Sequence, residues 1–290
     1  MSQVAAIDVG GTFIKAALVN KDFEIVKTAS ESTPKNDSTG VQTVAAMKKL
    51  IQSFGDVAAI GLAVPGTLDE KNGLARWAGN LNWNNLPIVK LLSESVNLPI
   101  AFSHDVRAGA VAELRAGAAK GYANSVFIPI GTGIAAALII DGEIRAADGY
   151  AGEIGHLNVG GETPCVCGNR GCLETEASAA AIAKKYGGGK SAEEVFTLAR
   201  SGDPKASEIV NDSIEFIARA CEVLATLLGP EAIIFGGGLA QSADLLIEPL
   251  TKNLAQKLSF QRKVELKTAK FGVLAGTIGS SMLAFDLVNS

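Results

Sequence analysis

Four residues near the middle of the chain have the types and spacing to hold a metal ion. Cys165, Cys167 and Cys172 lie in the segment PCVCGNRGCLE, and His156 precedes the first of them by nine residues. Three thiolates and an imidazole make a Cys3His set, the closed tetrahedral type that goes with structural zinc. Gly168 and Gly171 allow the backbone reversal that would return Cys172 towards the other two. Three small apolar thiols in a core would be the plainer reading, but this stretch is polar and rich in turn residues. The spacing therefore predicts a structural ion and not a catalytic one. Cys221, inside a long helical pattern, reads as ordinary core.

A second chemistry is written in the glycines. Asp8-Val9-Gly10-Gly11-Thr12 is followed by the apolar run Ile14–Val19, and Ile130-Gly131-Thr132-Gly133 by Ile134–Ile140. Both read as strand, Gly/Thr turn, strand, with backbone N–H groups exposed at the tip, as a polyphosphate requires. Neither is a Walker A loop, because no Lys-Ser/Thr pair follows the glycines. Alone, either would pass for an ordinary hairpin. Paired, they predict a duplicated α/β lobe with a cleft between the halves. Asp8 ends an apolar strand, where a carboxylate is costly unless it holds a metal, a water or a proton; a turn cap is the alternative. Gly236-Gly237-Gly238 follows the strand-like Ile233–Phe235 and precedes a helical stretch, the place where α/β folds bind nucleotides.

The third set is carboxylates and amides. Asp105 closes Ser103-His104-Asp105, at the junction of a short strand and a helix, and suits a base beside an attacking hydroxyl in phosphoryl transfer. An N-cap is the competing role. Glu153 and His156 sit three apart and would share a face of a helical turn. Glu174 follows Cys172 by two, so an ion in the cysteine loop would orient it. Asn80, in GNLNW, reads as a loop amide with spare hydrogen bonds or as turn chemistry.

These residues need a scaffold. The chain has 290 residues, 48% apolar, enough for a large core in two lobes. Strand character is clear in Val4–Val9, Ile14–Val19, Val57–Ala63, Ile100–Ser103, Ser125–Ile130, Ala135–Ile140 and Ala232–Phe235. Helical periodicity marks Val41–Phe54, Val106–Ala116, Glu193–Ala199, Lys205–Leu228, Ala243–Leu258 and a final small-residue helix, Gly272–Leu287. The net charge of −4, without a basic block, gives no footprint for nucleic acid. No long uninterrupted apolar run suggests a membrane span, and no signal-peptide pattern opens the chain. The cysteine pattern is not a disulfide framework. The expected location is the cytoplasm.

Over nearly its whole length the chain resembles the ROK family of bacterial sugar kinases, within the actin-like ATPase superfamily. The resemblance rests on AIDVGGTFIKAALV, AVPGTLD, the Asp105 segment, PIGTGIAAALIIDGEIRAADGYAGEIGH, CVCGNRGCLE and IIFGGGLAQS. It implies a two-lobed, ribonuclease H-like duplicated α/β fold with an interlobe cleft and a zinc loop. The expected division is 1–115, joined by the C-terminal helix 275–290, and 116–274 with the zinc loop. It implies Asp105 as catalytic base and Gly66, Asn80, His104, Asp105, Glu153, His156 and Glu174 as sugar contacts. Asp8, Gly10, Gly11, Thr12, Lys15, Thr132, Gly133, Gly236, Gly237 and Gly238 become nucleotide contacts, with ATP and Mg2+ as cofactors. His156, Cys165, Cys167 and Cys172 match the family's zinc ligands, so that His156 serves both shells.

The implied reaction is phosphorylation of a hexose at its C6 hydroxyl, with glucose as the default acceptor. N-acetylmannosamine, N-acetylglucosamine and other hexoses are alternatives. One departure bears on that choice: the family's usual Asn before the catalytic Asp is His104 here, bulkier and able to charge near neutral pH. A helix-turn-helix segment, which some members carry ahead of the sugar domain as repressors, is not expected, since the first phosphate motif starts at Asp8. A non-catalytic sugar sensor and an actin-like ATPase without a sugar acceptor are the competing classes. A homodimer follows from the resemblance alone.

Overall fold

The structure is a computed structural model and describes residues 3–289. Two compact units divide it: Met1–Arg115 with Ala146–Ala151 and Leu274–Ser290, and Ala116–Arg145 with Gly152–Val273.

The first unit opens with β1 (Val4–Val9), β2 (Phe13–Val19), β3 (Ile25–Ser32), α1 (Val41–Gln52) and β4 (Ile60–Val64). A small sheet follows, of β5 (Thr67–Asp69), β6 (Leu74–Ala78) and β7 (Trp83–Leu86), and then α2 (Ile88–Val96), β8 (Ile100–His104) and α3 (Asp105–Ala116). The main sheet has the order β3-β2-β1-β4-β8, with β1–β2–β3 an antiparallel meander and β4 and β8 parallel to β1. β1 and β4 are central strands covered on both faces. They therefore read as near-continuous apolar runs, whereas the edge strand β3 alternates with exposed polar residues. Ile7, Met47, Ile60, Leu62, Trp83 and Leu92 anchor the core on one face.

The second unit runs through β9 (Ser125–Pro129), β10 (Ala137–Ile140), β11 (Glu143–Arg145), α4 (Leu173–Ala177), α5 (Ala179–Tyr186) and α6 (Ala192–Arg200). It continues with α7 (Pro204–Leu228), β12 (Ala232–Gly236), α8 (Ile247–Lys257) and β13 (Glu265–Thr268). Its sheet has the order β11-β10-β9-β12-β13, antiparallel through β9–β10–β11 and parallel from β9 to β12 and β13. That is the strand order and sense of the first unit, so the duplication suggested by the two Gly/Thr turns is a duplication of whole sheets. The 25-residue helix α7 is bounded as its sequence predicts. Asp203 accepts the Ala206 N–H at 2.7 Å, Pro204 opens the first turn, and Gly229 closes it in the left-handed region at φ 54°.

The last helix, α9 (Ala275–Asn289), returns to the first unit and covers the β1–β4–β8 face. The sequence reading found no membrane span, yet Gly272–Asn289 has the length and, at a mean hydropathy of 1.2, the composition to cross one. In the fold it is a core helix. Ile278, Met282 and Phe285 are buried, and its small residues serve close packing: a Cβ on Gly279 would overlap the Ala108 carbonyl, and one on Gly61 the Ser280 carbonyl. Short elements escaped the periodicity reading. β3, β5–β7, β11, β13, α2, α4 and α5 are edge strands or elements of nine residues or fewer. The helix expected from Ala243 begins at Ile247.

Candidate active site

In both units glycine turns and carboxylates lie at or just past the carboxyl ends of parallel strands, where loops of open α/β sheets bind ligands. In the first unit Asp8 and Gly10–Thr12 end β1, Pro65-Gly66 follows β4, and Asp105 follows β8. The β1–β2 pair is antiparallel in the register Asp8↔Lys15, and the Gly10 N–H donates to the Phe13 carbonyl at 3.0 Å to close the turn. Asn80, in a 3₁₀ turn after β6, lies over this tip: a Cβ added to Gly11 would sit 3.5 Å from its Nδ2. Gly66, at φ 100°, passes under the Trp77 and Ala78 backbone, which leaves no room for a side chain.

Asp8 is half-buried, and its carboxyl is pushed up to about 6, first by burial and then by the Asp105 carboxylate, with Lys15 opposing. Two acidic groups so placed call for a proton or a cation. Mg2+ binds through one or two carboxylates plus substrate phosphates, so Asp8 is the residue that fits it. The shift has a consequence for stability. A folded pKa of about 6 against the ordinary 3.8 means that ionising Asp8 costs the fold about 3 kcal/mol. The cost is full above pH 6 and absent below the ordinary value. Asp8→Asn should therefore raise the urea midpoint at pH 7.5, and the gain should shrink towards pH 4. An unchanged midpoint at pH 7.5 would contradict the burial argument.

Asp105 is the first residue of α3, and its Oδ1 accepts the Val106 N–H at 2.7 Å. The neighbouring imidazole shares that N–H. His104 Nδ1 lies 3.2 Å from the same N–H and 3.2 Å from Asp105 Oδ1, and its ring is buried. Glu70, which the sequence reading passed over, accepts the His104 N–H at 2.7 Å and the Ser103 hydroxyl at 2.9 Å. No periodicity or motif marks it; only the fold brings the β5–β6 turn under the end of β8.

In the second unit the Gly131–Gly133 turn is closed by an Ile130↔Ile134 bridge and by the Gly131 N–H on the Gly133 carbonyl at 3.1 Å. Gly237 adopts φ 76° against the Ile130 carbonyl, where any Cβ would overlap it, and the Ile130 N–H donates to the Gly236 carbonyl at 3.0 Å. The glycine run leads into a 3₁₀ turn, Leu239–Gln241, and not directly into a helix as expected. A cavity of about 240 Å³ adjoins both glycine turns, lined by Thr132, Ala179, Ala192, Gly238 and Ser242.

Glu153 precedes a 3₁₀ turn, Ile154–His156. The His156 N–H donates to the Glu153 carbonyl at 3.1 Å, and Glu153, at φ −72° and ψ 42°, flanks the turn. Glu174, in α4, turns one oxygen to the Ile134 N–H at 3.0 Å, and a Cβ on Gly133 would collide with it. The carboxylate expected on the sugar is thus hydrogen-bonded to the end of the second Gly/Thr turn. Glu176, two residues further, is buried. It accepts Lys185 at 2.7 Å and the Thr163 N–H at 2.8 Å, and so ties the cysteine loop to α4.

His156, Cys165, Cys167 and Cys172 converge, with one donor atom from each lying within 4.8 Å of the others. Cys165 Sγ is 3.6 Å from His156 Nδ1, and Cys167 Sγ is 3.5 Å from Cys172 Sγ. Zinc at about 2.3 Å from sulfur and about 2.0 Å from nitrogen needs ligand atoms about 3.5–3.8 Å apart, and the donor set fits it. The thiols are free. Cys172 is pushed up to about 12, by burial first, whereas exposed Cys167 is drawn down to about 7, mainly by the Asn169 N–H. A divalent cation would have to displace the Cys172 proton. Because Nδ1 faces the sulfurs, the other ring nitrogen of His156 is turned away from them.

The ROK family model matches residues 4–286. The chain is 33% identical to a glucokinase of Halalkalibacterium halodurans, over 98% of this chain and 95% of that protein. It is 31% identical to an N-acetyl-D-glucosamine kinase of Mannheimia succiniciproducens, over 95% and 97%. Among solved structures, a ROK family glucokinase from Streptomyces griseus in complex with glucose and AMPPNP superposes with a TM-score of 0.87. Their identity is 27%, with 98% of this chain and 100% of that chain covered.

Proposed function

The chain belongs to the ROK family, and on that premise we propose that it is an ATP-dependent hexose kinase acting on the C6 hydroxyl of glucose. The observation that carries the reading is the pairing of two carboxylates in the first unit: Asp105 at the start of α3, and Asp8, pushed up to about 6 by burial and by the Asp105 charge. Phosphoryl transfer to an alcohol needs a base at the hydroxyl, an in-line phosphate and neutralised charge.

Asp105 takes the hydroxyl proton. Gly66, Asn80 and His104 orient the sugar from the first unit, and Glu153, His156 and Glu174 belong to the sugar-binding set of the second. The N–H groups of Gly10–Thr12, with Lys15, and those of Thr132 and Gly133 hold phosphates, and Gly236–Gly238 borders the nucleoside. Mg2+, held by Asp8, would neutralise phosphate charge when bound. Zinc, held by His156, Cys165, Cys167 and Cys172, would fix the imidazole so that its outer nitrogen meets a sugar hydroxyl.

The cavity beside Ala179 is read as the nucleoside pocket. Ala179→Phe, which fills it from a half-exposed helix start, should raise KM for ATP about tenfold while KM for the sugar stays within about twofold. Steady-state kinetics with each substrate varied checks this.

The overall test is a panel of hexoses with ATP and Mg2+, followed by ADP release. Glucose should be turned over with the highest kcat/KM. N-acetylglucosamine is the second reading, favoured by the 31% identical kinase for that sugar; a preference for it would move the assignment within the family. Sugar binding without ADP release would replace the kinase by a sensor. A cytoplasmic location and a homodimer complete the proposal, to be checked by fractionation and by light scattering.

A further inference from the structure

We infer that Glu70 is a positioning residue for the catalytic base, acting through the backbone and side chains that bracket Asp105; this rests on the kinase reading above. One carboxylate oxygen, Glu70 Oε1, accepts three hydrogen bonds: from Ser103 Oγ at 2.9 Å, from the His104 N–H at 2.7 Å and from Arg107 Nε at 3.0 Å. These donors lie before and after Asp105, and none is Asp105 itself. β8 is the edge strand of its sheet, paired with β4 alone, and the strand becomes a helix within one residue. Such a junction has backbone donors that no ladder takes up. Glu70 supplies the acceptor from a turn that Asp69 and Asn72 stiffen by two hydrogen bonds of 2.9 and 3.1 Å.

Arg107 makes the arrangement one-sided. Its side chain is 4% exposed, its Nη2 has no hydrogen-bond partner among the described residues, and Glu70 is the acid that faces it. A buried guanidinium with one acceptor stays where that acceptor is. Helix α3 therefore starts at a fixed height and rotation, and the Asp105 carboxylate follows from its first residue. Misplacing a reacting group by about 1 Å costs on the order of a hundredfold in rate. The three bonds restrain that displacement without touching substrate.

The test is steady-state kinetics of Glu70 variants of the full chain with the hexose that the wild-type turns over. Glu70→Ala removes the acceptor and should lower kcat about 10–100-fold, with KM for ATP within about twofold. Glu70→Gln keeps an acceptor oxygen for Ser103 and His104 and should return kcat to within about threefold of wild-type, a rescue that general destabilisation would not give. If Glu70→Ala proves insoluble, Glu70→Asp preserves the charge opposite Arg107 and withdraws the oxygen by one methylene. It should lower kcat at least about fivefold with an unchanged thermal midpoint. Wild-type kcat in the Ala or Asp variant would overturn the inference. So would a loss in which Gln fails to rescue and both KM values rise together. A wild-type chain inactive on every hexose would instead sink the kinase reading, so the two failures are told apart.

Discussion

Asp105→Asn should lower kcat by about a thousandfold and leave hexose affinity nearly unchanged. Asn keeps the shape and one acceptor oxygen, so the Val106 N–H at 2.7 Å can still be satisfied and the start of α3 preserved. What it loses is basicity at the oxygen that must take the hydroxyl proton, and general-base contributions run to about 10²–10⁴. The neighbourhood sharpens the expectation. Asp8 is pushed up partly by the Asp105 charge, so removing that charge should let the Asp8 carboxyl ionise more easily. Loss of turnover should therefore come with a lower Asp8 pKa, readable from carboxyl carbon titration by NMR. Turnover within about tenfold of wild-type would remove Asp105 from the base role, whatever happened to Asp8.

Cys172→Ser should release the metal and raise KM for the hexose about tenfold or more, on the scale of 10–100-fold effects seen when metal surroundings are altered. Cys172 is fully buried at the start of α4, so an ion bound at its sulfur would link the loop to the helix that carries Glu174 and Glu176. Without the ion, His156 Nδ1 loses its partner and the outer nitrogen of the ring is no longer aimed. Metal analysis of the purified protein, and thermal unfolding with and without a chelator, check the two halves. A stable, zinc-free protein with wild-type KM in the Cys172→Ser form would end the structural-ion reading. Glu176 gives a control. Its carboxyl is held below the ordinary carboxylate range by Lys185 and Thr163, against its burial. Its contribution to the loop is therefore present at neutral pH and lost as acid protonates it.

Both expectations depend on residues already visible in the sequence, but for different reasons. The cysteine loop was legible because metal ligands must be of a few types at close spacing, and the glycines beside them signal the reversal. Asp105 was legible as a polar residue at a change of periodicity. What only three dimensions showed is its setting: Asp105 Oδ1 accepts the Val106 N–H at 2.7 Å, and the buried His104 Nδ1 lies 3.2 Å from the same N–H. Glu174 was expected to be oriented by the ion; its bond to the Ile134 N–H, which joins α4 to the second Gly/Thr turn, comes from a contact between residues forty apart. Glu70 gave no signal at all. A lone glutamate beside an aspartate in a Gly-bounded turn is indistinguishable from a solvated surface charge.

The residue types and local spacing determined the metal set, the two glycine turns, the strand-end aspartates and the long helices, because these depend on chemistry and periodicity within a dozen or so residues. Tertiary structure decided the matching order of the two sheets, the burial that lifts Asp8, the three hydrogen bonds that Glu70 gathers and the core role of the last helix. Each of those follows from which distant strands become neighbours, and pairing of that kind is fixed by the packing of a whole unit and not by any short stretch of chain.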